Sequence, residues 1–98
     1  METWLKCKVS PGQFSIEYAV QVEAFDGRRV SLFAPTDEVD TDKQPTGSSP
    51  VDGRIRVTVE AKKDDLLLVR LPRQTLENGQ HVTVRSSQLD TRPSRQEA

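Results

Sequence analysis

Alternation between apolar and polar side chains along residues 14–24 constrains the fold more than any other feature of the sequence. Every second residue from Phe14 to Ala24 is apolar. Successive side chains of a β-strand point to opposite faces, so this pattern predicts a strand with one buried face. The same alternation recurs in residues 54–61 and 80–86, and it is weaker in residues 4–9. A continuous apolar run at residues 66–71 predicts a strand covered on both faces.

A turn signal, Asp26-Gly27, follows the first clear strand. A two-residue loop would set Val22 opposite Ser31, whereas a three-residue loop of residues 25–27 sets Val22 opposite Val30 and makes one face wholly apolar. The second register predicts a type I turn that ends in a left-handed residue and a bulge. Gly27 occupies the left-handed position.

A second hairpin is predicted from an echo of the first. An ungapped shift of 37 residues places residues 20–35 on residues 57–72. The same register would pair Val59 with Leu67 and would leave residues 62–64 as the loop, with Asp64 in the left-handed position. Alternating strands resemble one another easily, so the echo is explained either by internal duplication or by chance.

The fold class that follows is all-β, a small antiparallel barrel or roll of five to six strands. We prefer the SH3-like form, because a short helical turn before the last strand is typical of it, and an OB-like barrel is the alternative. The predicted domain covers residues 1–86 and includes a mobile acidic loop at residues 36–53. Residues 87–98 are predicted to be a disordered tail.

Composition restricts the setting and the chemistry. The chain has 98 residues, a formal net charge of −1 and one cysteine, which excludes an intramolecular disulfide and favours a reducing compartment. No apolar run approaches a signal peptide or a membrane span, so we expect a soluble, cytoplasmic protein. Cys7 shares a phase with apolar neighbours and is predicted to be a buried, inert thiol.

Catalytic and metal-binding motifs are not evident in the sequence. His81, the only histidine, is predicted to lie on a strand surface without a special role. The acidic loop lacks the ligand spacing of a calcium loop, so we interpret it as solvated charge. We therefore predict a non-catalytic protein without a cofactor or a metal.

The outward residues of the hairpins indicate a binding surface. In the predicted register Arg56 lies opposite Arg70, with leucines beside them, and this face is either a second core layer or an apolar patch edged by arginine. We predict a protein-binding module or accessory subunit that is a monomer or a weak homodimer. The predicted partner-binding residues are Phe33, Arg56, Leu66, Leu68 and Arg70.

Single-stranded RNA is the alternative partner, because the second half of the chain is mildly basic and small barrels can stack bases beside positive charge. The pI of about 5.8 and the five aromatic residues argue against it. The residues that this alternative would use are Arg28, Arg29, Lys62, Lys63, Arg73 and Arg85.

Overall fold

The part of the chain that the structure describes contains eight strands and two short 3-10 turns. The computed structural model describes residues 2–47, 49–77 and 79–92, with side chains as far as residue 90. The strands are β1 (Glu2–Pro11), β2 (Glu17–Glu23), β3 (Arg29–Pro35), β4 (Val39–Thr41), β5 (Val51–Lys63), β6 (Leu66–Arg70), β7 (His81–Arg85) and β8 (Leu89–Arg92), and the 3-10 turns span Thr36–Glu38 and Ser86–Gln88.

One antiparallel sheet contains all the strands and curls into a half-barrel, with the order β3-β2-β1-β5-β6-β7. The long β5 carries β1 on one edge, and β4 and then β6 on the other. The prediction of a small all-β barrel or roll is confirmed, although the strands are more numerous than expected. In the described residues, no helix is long and apolar enough to cross a membrane.

The two ends of the curled sheet are held together by hydrogen bonds outside the ladders. The backbone N–H of Phe25, in the β2–β3 turn, donates to the carbonyl of Thr83 on β7 at 2.8 Å. On the other side, the N–H of Leu76 donates to the carbonyl of Ser31 on β3 at 2.7 Å, and the N–H of Ser31 donates to the Glu77 carboxylate at 2.8 Å. These contacts occupy polar groups that an exposed edge strand would otherwise offer to another chain.

The predicted register of the first hairpin is confirmed. Val22 pairs with Val30 and Val20 pairs with Leu32. The N–H of Ala24 donates to the carbonyl of Arg28 at 2.7 Å, which closes a three-residue loop. Gly27 has a φ of +89°, the left-handed conformation that the loop requires and that glycine adopts without a steric penalty.

The start of this strand was predicted wrongly. Phe14 and Ile16 continue the apolar phase, but they are 66% and 74% exposed because the strand begins only at Glu17. The ladder ends where β3 ends at Pro35, and the N–H of Thr36 makes the last bond of the pair, to the carbonyl of Ile16 at 3.1 Å. Without a partner strand, the alternation before Glu17 has no core to face.

The register of the second hairpin was also predicted wrongly. Val59 pairs with Val69 rather than with Leu67, and a β-bulge between Val59 and Ala61 leaves Glu60 as the extra residue. Beyond the bulge Lys63 pairs with Leu66, so the loop has two residues. Asp64 does adopt the predicted left-handed conformation, with a φ of +55°. The bulge shifts the alternation of β5 by one residue, so that the exposed Lys62 lies opposite the buried Leu67 of β6, a change that strict alternation cannot represent.

The main core fills the concave face of the sheet. It draws one phase of side chains from β1, β2, β3, β5, β6 and β7, as the alternation predicted, and its fully buried members include Leu5, Val9, Val22, Leu32, Ile55, Val69 and Val84. Trp4 is fully buried too, yet it lies outside this cluster, opposite Arg56 in the β1–β5 ladder. A second, smaller layer therefore exists on the convex face.

The predicted acidic loop and C-terminal tail are partly built into the sheet. Residues 36–41 form a 3-10 turn and β4, and Val39 is buried. Residues 89–92 form β8, which pairs with residues 2–5 of β1. The predicted mobile loop and disordered tail are corrected to that extent, because both segments find a partner strand distant in sequence. Ser48 and residues 93–98 lie outside the described residues.

Candidate partner-binding surface

The five residues predicted to bind a partner do not form one patch. Phe33 lies on β3, at one end of the strand order, and Arg56 lies on β5 opposite Trp4 of β1. Only Leu66, Leu68 and Arg70 share one face, on β6. The predicted Arg56–Arg70 pair is wrong, because the bulged register sets Arg70 opposite Thr58. The surface therefore divides into parts that differ in charge and burial.

Arg56 belongs to an ionic cluster on the convex face. Its Nε donates to the Glu38 carboxylate at 2.9 Å and its Nη1 donates to the Glu2 carboxylate at 2.8 Å. The guanidinium carbon lies 6.0 Å from the centre of the Trp4 ring, within cation–π range. The hydrogen bond that Arg56 donates to Glu38 is the largest of the effects that raise the pKa of Arg56. The charge of Arg56 is thus already compensated within the chain.

Arg54 is a second arginine with such ion pairs, and the sequence analysis did not predict a role for it. Its Nη2 donates to Asp42 at 2.7 Å and to Asp40 at 3.2 Å, and the hydrogen bond to Asp42 is the largest of the effects that raise the pKa of Arg54. Lys8 pairs likewise with Asp52. Four carboxylates of the acidic loop, those of Glu38, Asp40, Asp42 and Asp52, are therefore matched by cations of β1 and β5. Among the described residues, no group of three side chains is arranged to hold a metal ion.

The outward side chains of β5, β6 and β7 form a grid that we call the β6 face. Cross-strand pairs on both edges of β6 align them in three rows of three. The rows are Thr58–Arg70–His81, Ala61–Leu68–Thr83 and Lys63–Leu66–Arg85.

The first row is internally neutralised and the second is weakly polar. The bulged Glu60 lies 3.4 Å from Arg70 Nε and 3.4 Å from His81 Nε2, so its carboxylate is shared between two strands. In the middle row, Leu68 is 36% exposed between Ala61 and Thr83. The only histidine therefore lies beside the Arg70–Glu60 ion pair on the surface.

The third row carries the unmatched charge. Within the described part of the chain, neither Lys63 nor Arg85 has a carboxylate within 4.0 Å. The nearby Asp65 is engaged by Ser86, whose hydroxyl donates to its carboxylate and whose N–H donates to its carbonyl. Among the described residues, two cations thus flank Leu66 without an ion pair.

Phe25 adds an aromatic side chain beside this face. It is 38% exposed, and its N–H donates to the carbonyl of Thr83, which continues the middle row beyond β7. The sequence reading placed Phe25 only in a turn. The contact between Phe25 and Thr83 was not predicted, because nothing in the local sequence shows that the β2–β3 turn reaches β7.

The residues of the RNA alternative are divided among separate places. Lys62, Lys63 and Arg85 lie near the two-residue loop and β7, whereas Arg73 shares a groove of about 470 Å³ with Phe33. Arg29 lines a different cleft of about 580 Å³.

Cys7 is buried, as the sequence predicts. Its side chain lies in the core, 9% exposed, and burial raises the pKa of the thiol to about 12. A thiol in this state is protonated at neutral pH, and the nucleophilic thiolate is therefore nearly absent.

Comparisons with protein-family models, curated proteins and solved structures find no match to this chain. The function is therefore inferred from the geometry and charge of the protein surface.

Proposed function

We propose that the chain is a non-catalytic protein-binding module whose partner covers the β6 face. The observation that carries this proposal is Leu68, a large aliphatic side chain left about one-third exposed at the centre of an ordered three-strand grid. Exposed apolar residues bordered by polar and charged ones are typical of protein interfaces.

The rigidity of the grid supports this proposal. Every residue of the middle row is held by strand pairing on β6 or next to it, so little conformational entropy is lost when a partner docks. Arginine and aromatic side chains are enriched among residues that dominate binding energy, and this surface offers Arg70, Arg85 and Phe25 around Leu68. Arg56 and Phe33 are left out of the proposed site.

The finer architecture and the setting are part of the same proposal. A 3-10 turn, Ser86–Gln88, precedes the last strand, and that strand pairs with β1, which supports an SH3-like interpretation of the half-barrel. A single cysteine, buried in the core, fits a cytoplasmic, reducing environment. Single-stranded RNA binding is less well supported, because its proposed cations are divided among three places.

The test is a capture experiment with immobilised protein and matched variants. Leu68→Glu places a charge at the centre of the β6 face, whereas Ile16→Glu places the same charge on a more exposed apolar residue just before β2. We expect Leu68→Glu to lose the proteins that the wild type captures from a cell lysate, and Ile16→Glu to retain them. Trp4 fluorescence and urea unfolding confirm that both variants are folded. Equal capture by all three chains would show the proposed site to be wrong.

A further inference from the structure

We infer that the segment covering the β6 face is an extended, acidic and aliphatic stretch of a partner protein. This inference rests on the proposed function, and it adds the chemistry of the partner. It follows from the unequal charge of the three rows: the first is neutralised by Glu60, the second is uncharged, and the third carries two cations that have no ion pair among the described residues.

Charge complementarity provides the first step. Arg70 and His81 share Glu60, so the first row offers little net charge to a partner. Lys63 and Arg85 stand two strands apart, about 10 Å at ordinary strand spacing, on either side of Leu66. Carboxylates of a partner would find two unmatched cations there, and a basic partner would be repelled.

The spacing of the rows provides the second step. Adjacent rows are two residues apart along β6 and β7, or about 6.6 Å. The side chains of an extended segment that point the same way repeat at the same distance. An aliphatic residue placed over Leu68 and a carboxylate two positions away would therefore reach the middle row and the cationic row together.

The apolar character of the middle row favours a protein over a nucleic acid. Ala61, Leu68 and Thr83 offer aliphatic contacts, and Phe25 is the single aromatic next to them. Single-stranded nucleic acids are usually held by aromatic side chains on which successive bases stack. One phenylalanine at the margin of an aliphatic row does not make such a platform.

The experiment selects peptides from a random displayed library on the immobilised full chain and then measures the affinity of the selected peptides. We expect enrichment of an aliphatic residue two positions from Asp or Glu, and loss of binding to Leu68→Glu. The double variant Lys63→Glu/Arg85→Glu should weaken these peptides by roughly tenfold or more. The double variant Lys43→Glu/Arg73→Glu, which changes the net charge equally at exposed positions elsewhere, should bind as the wild type does.

The outcomes separate the two proposals. Peptides that require Leu68 but lack acidic enrichment, and that ignore the Lys63→Glu/Arg85→Glu change, would overturn the inference and leave the proposed function standing. Failure to select any peptide, or selection of peptides indifferent to Leu68→Glu, would overturn both.

Two further measurements test other occupants of the face. A short single-stranded RNA that displaces the selected peptides and binds more tightly would replace the acidic segment with nucleic acid. Self-association in sedimentation that disappears in Lys63→Glu/Arg85→Glu would replace it with a second copy of the chain. Either result would overturn the inference.

Discussion

Gly53 lies where three strands meet, and replacing it with alanine should be unusually costly. It faces Cys7 in the ladder with β1 and Thr41 in the ladder with β4, and it is buried. A Cβ at this position would lie 2.7 Å from the carbonyl oxygen of Asp40 and 2.8 Å from a methyl carbon of Val9. Ordinary contact begins near 3.4 Å, so the closest approach falls short by about 0.7 Å.

The surroundings of Gly53 cannot relax cheaply. Val9 is fully buried in the core, and Asp40 is held in its strand by pairing with Arg54 and by an ion pair to the same arginine. Inserting a methyl group into a packed site costs about 1–3 kcal/mol. Loosening one backbone hydrogen bond of β4 adds about 0.5–1.5 kcal/mol. We therefore expect Gly53→Ala to lower the free energy of unfolding by about 2–4 kcal/mol.

Urea unfolding followed by the fluorescence of Trp4, the only tryptophan, measures this loss. The matched control is Gly27→Ala, where an added Cβ meets nothing within 4 Å. There the free energy of unfolding should fall by only about 1 kcal/mol, because alanine disfavours the left-handed φ of +89°. A Gly53→Ala chain that unfolds at the urea concentration of the wild type, or that loses less than Gly27→Ala, would refute the steric reasoning.

Two other predictions concern charge. Burial raises the pKa of Cys7 from 9.0 to about 12, so above pH 9 the thiol ionises in the unfolded chain but not in the folded one. The free energy of unfolding should then fall by about 1.4 kcal/mol per pH unit between pH 9 and pH 12, and Cys7→Ala should abolish that part of the slope; an unchanged slope would contradict the burial argument. Arg56→Met leaves the half-buried carboxylates of Glu2 and Glu38 unmatched and should cost about 1–2 kcal/mol in urea unfolding, less than for fully buried charges because solvent screens them. The same change at the exposed Arg73 should cost no more than about 0.5 kcal/mol, and equal losses would argue against the ionic cluster.

The first hairpin shows how much of the fold local pattern can predict. A single apolar phase and one glycine in a turn were enough to choose between two registers that differ by one residue. The choice succeeds because a slip of one residue would turn every buried side chain of that strand outward. The all-β class follows from the same alternation.

The second hairpin shows where that reasoning fails. Ile55 and Val57 face the core in the part of β5 that pairs with β1. Beyond Val59, where β5 pairs with β6, the alternation of β5 is shifted by one residue. The bulge at Glu60 produces this shift, and its carboxylate bridges Arg70 and His81. A search for one continuous alternation passes over such a feature, since nothing in the apolar pattern marks the bulged residue.

The candidate surface was predictable only in part. Leu66, Leu68 and Arg70 point outward, as the apolar phase of the hairpin predicted, because the bulge moves their partners on β5 and leaves the alternation of β6 intact. The prediction that residues 66–71 are covered on both faces was wrong, because no element covers Leu68 and Arg70 among the described residues. Arg56 was wrongly expected to be free for a partner, because its contacts with Glu38 and Glu2, 18 and 54 residues away along the chain, cannot be predicted from the local sequence. Phe25 was missed for the same kind of reason.

By itself, the sequence determined which side chains face the core in the strands that keep one alternation, the left-handed positions at Gly27 and Asp64, and the absence of a strong helical pattern. Only the tertiary structure decided which strands share an edge, where β5 bulges, and which charges remain unmatched on the β6 face. The physical reason is that alternation reports burial along one strand. The partners of a strand and of an arginine depend instead on the free energy of the whole sheet, to which residues far apart in the chain contribute together.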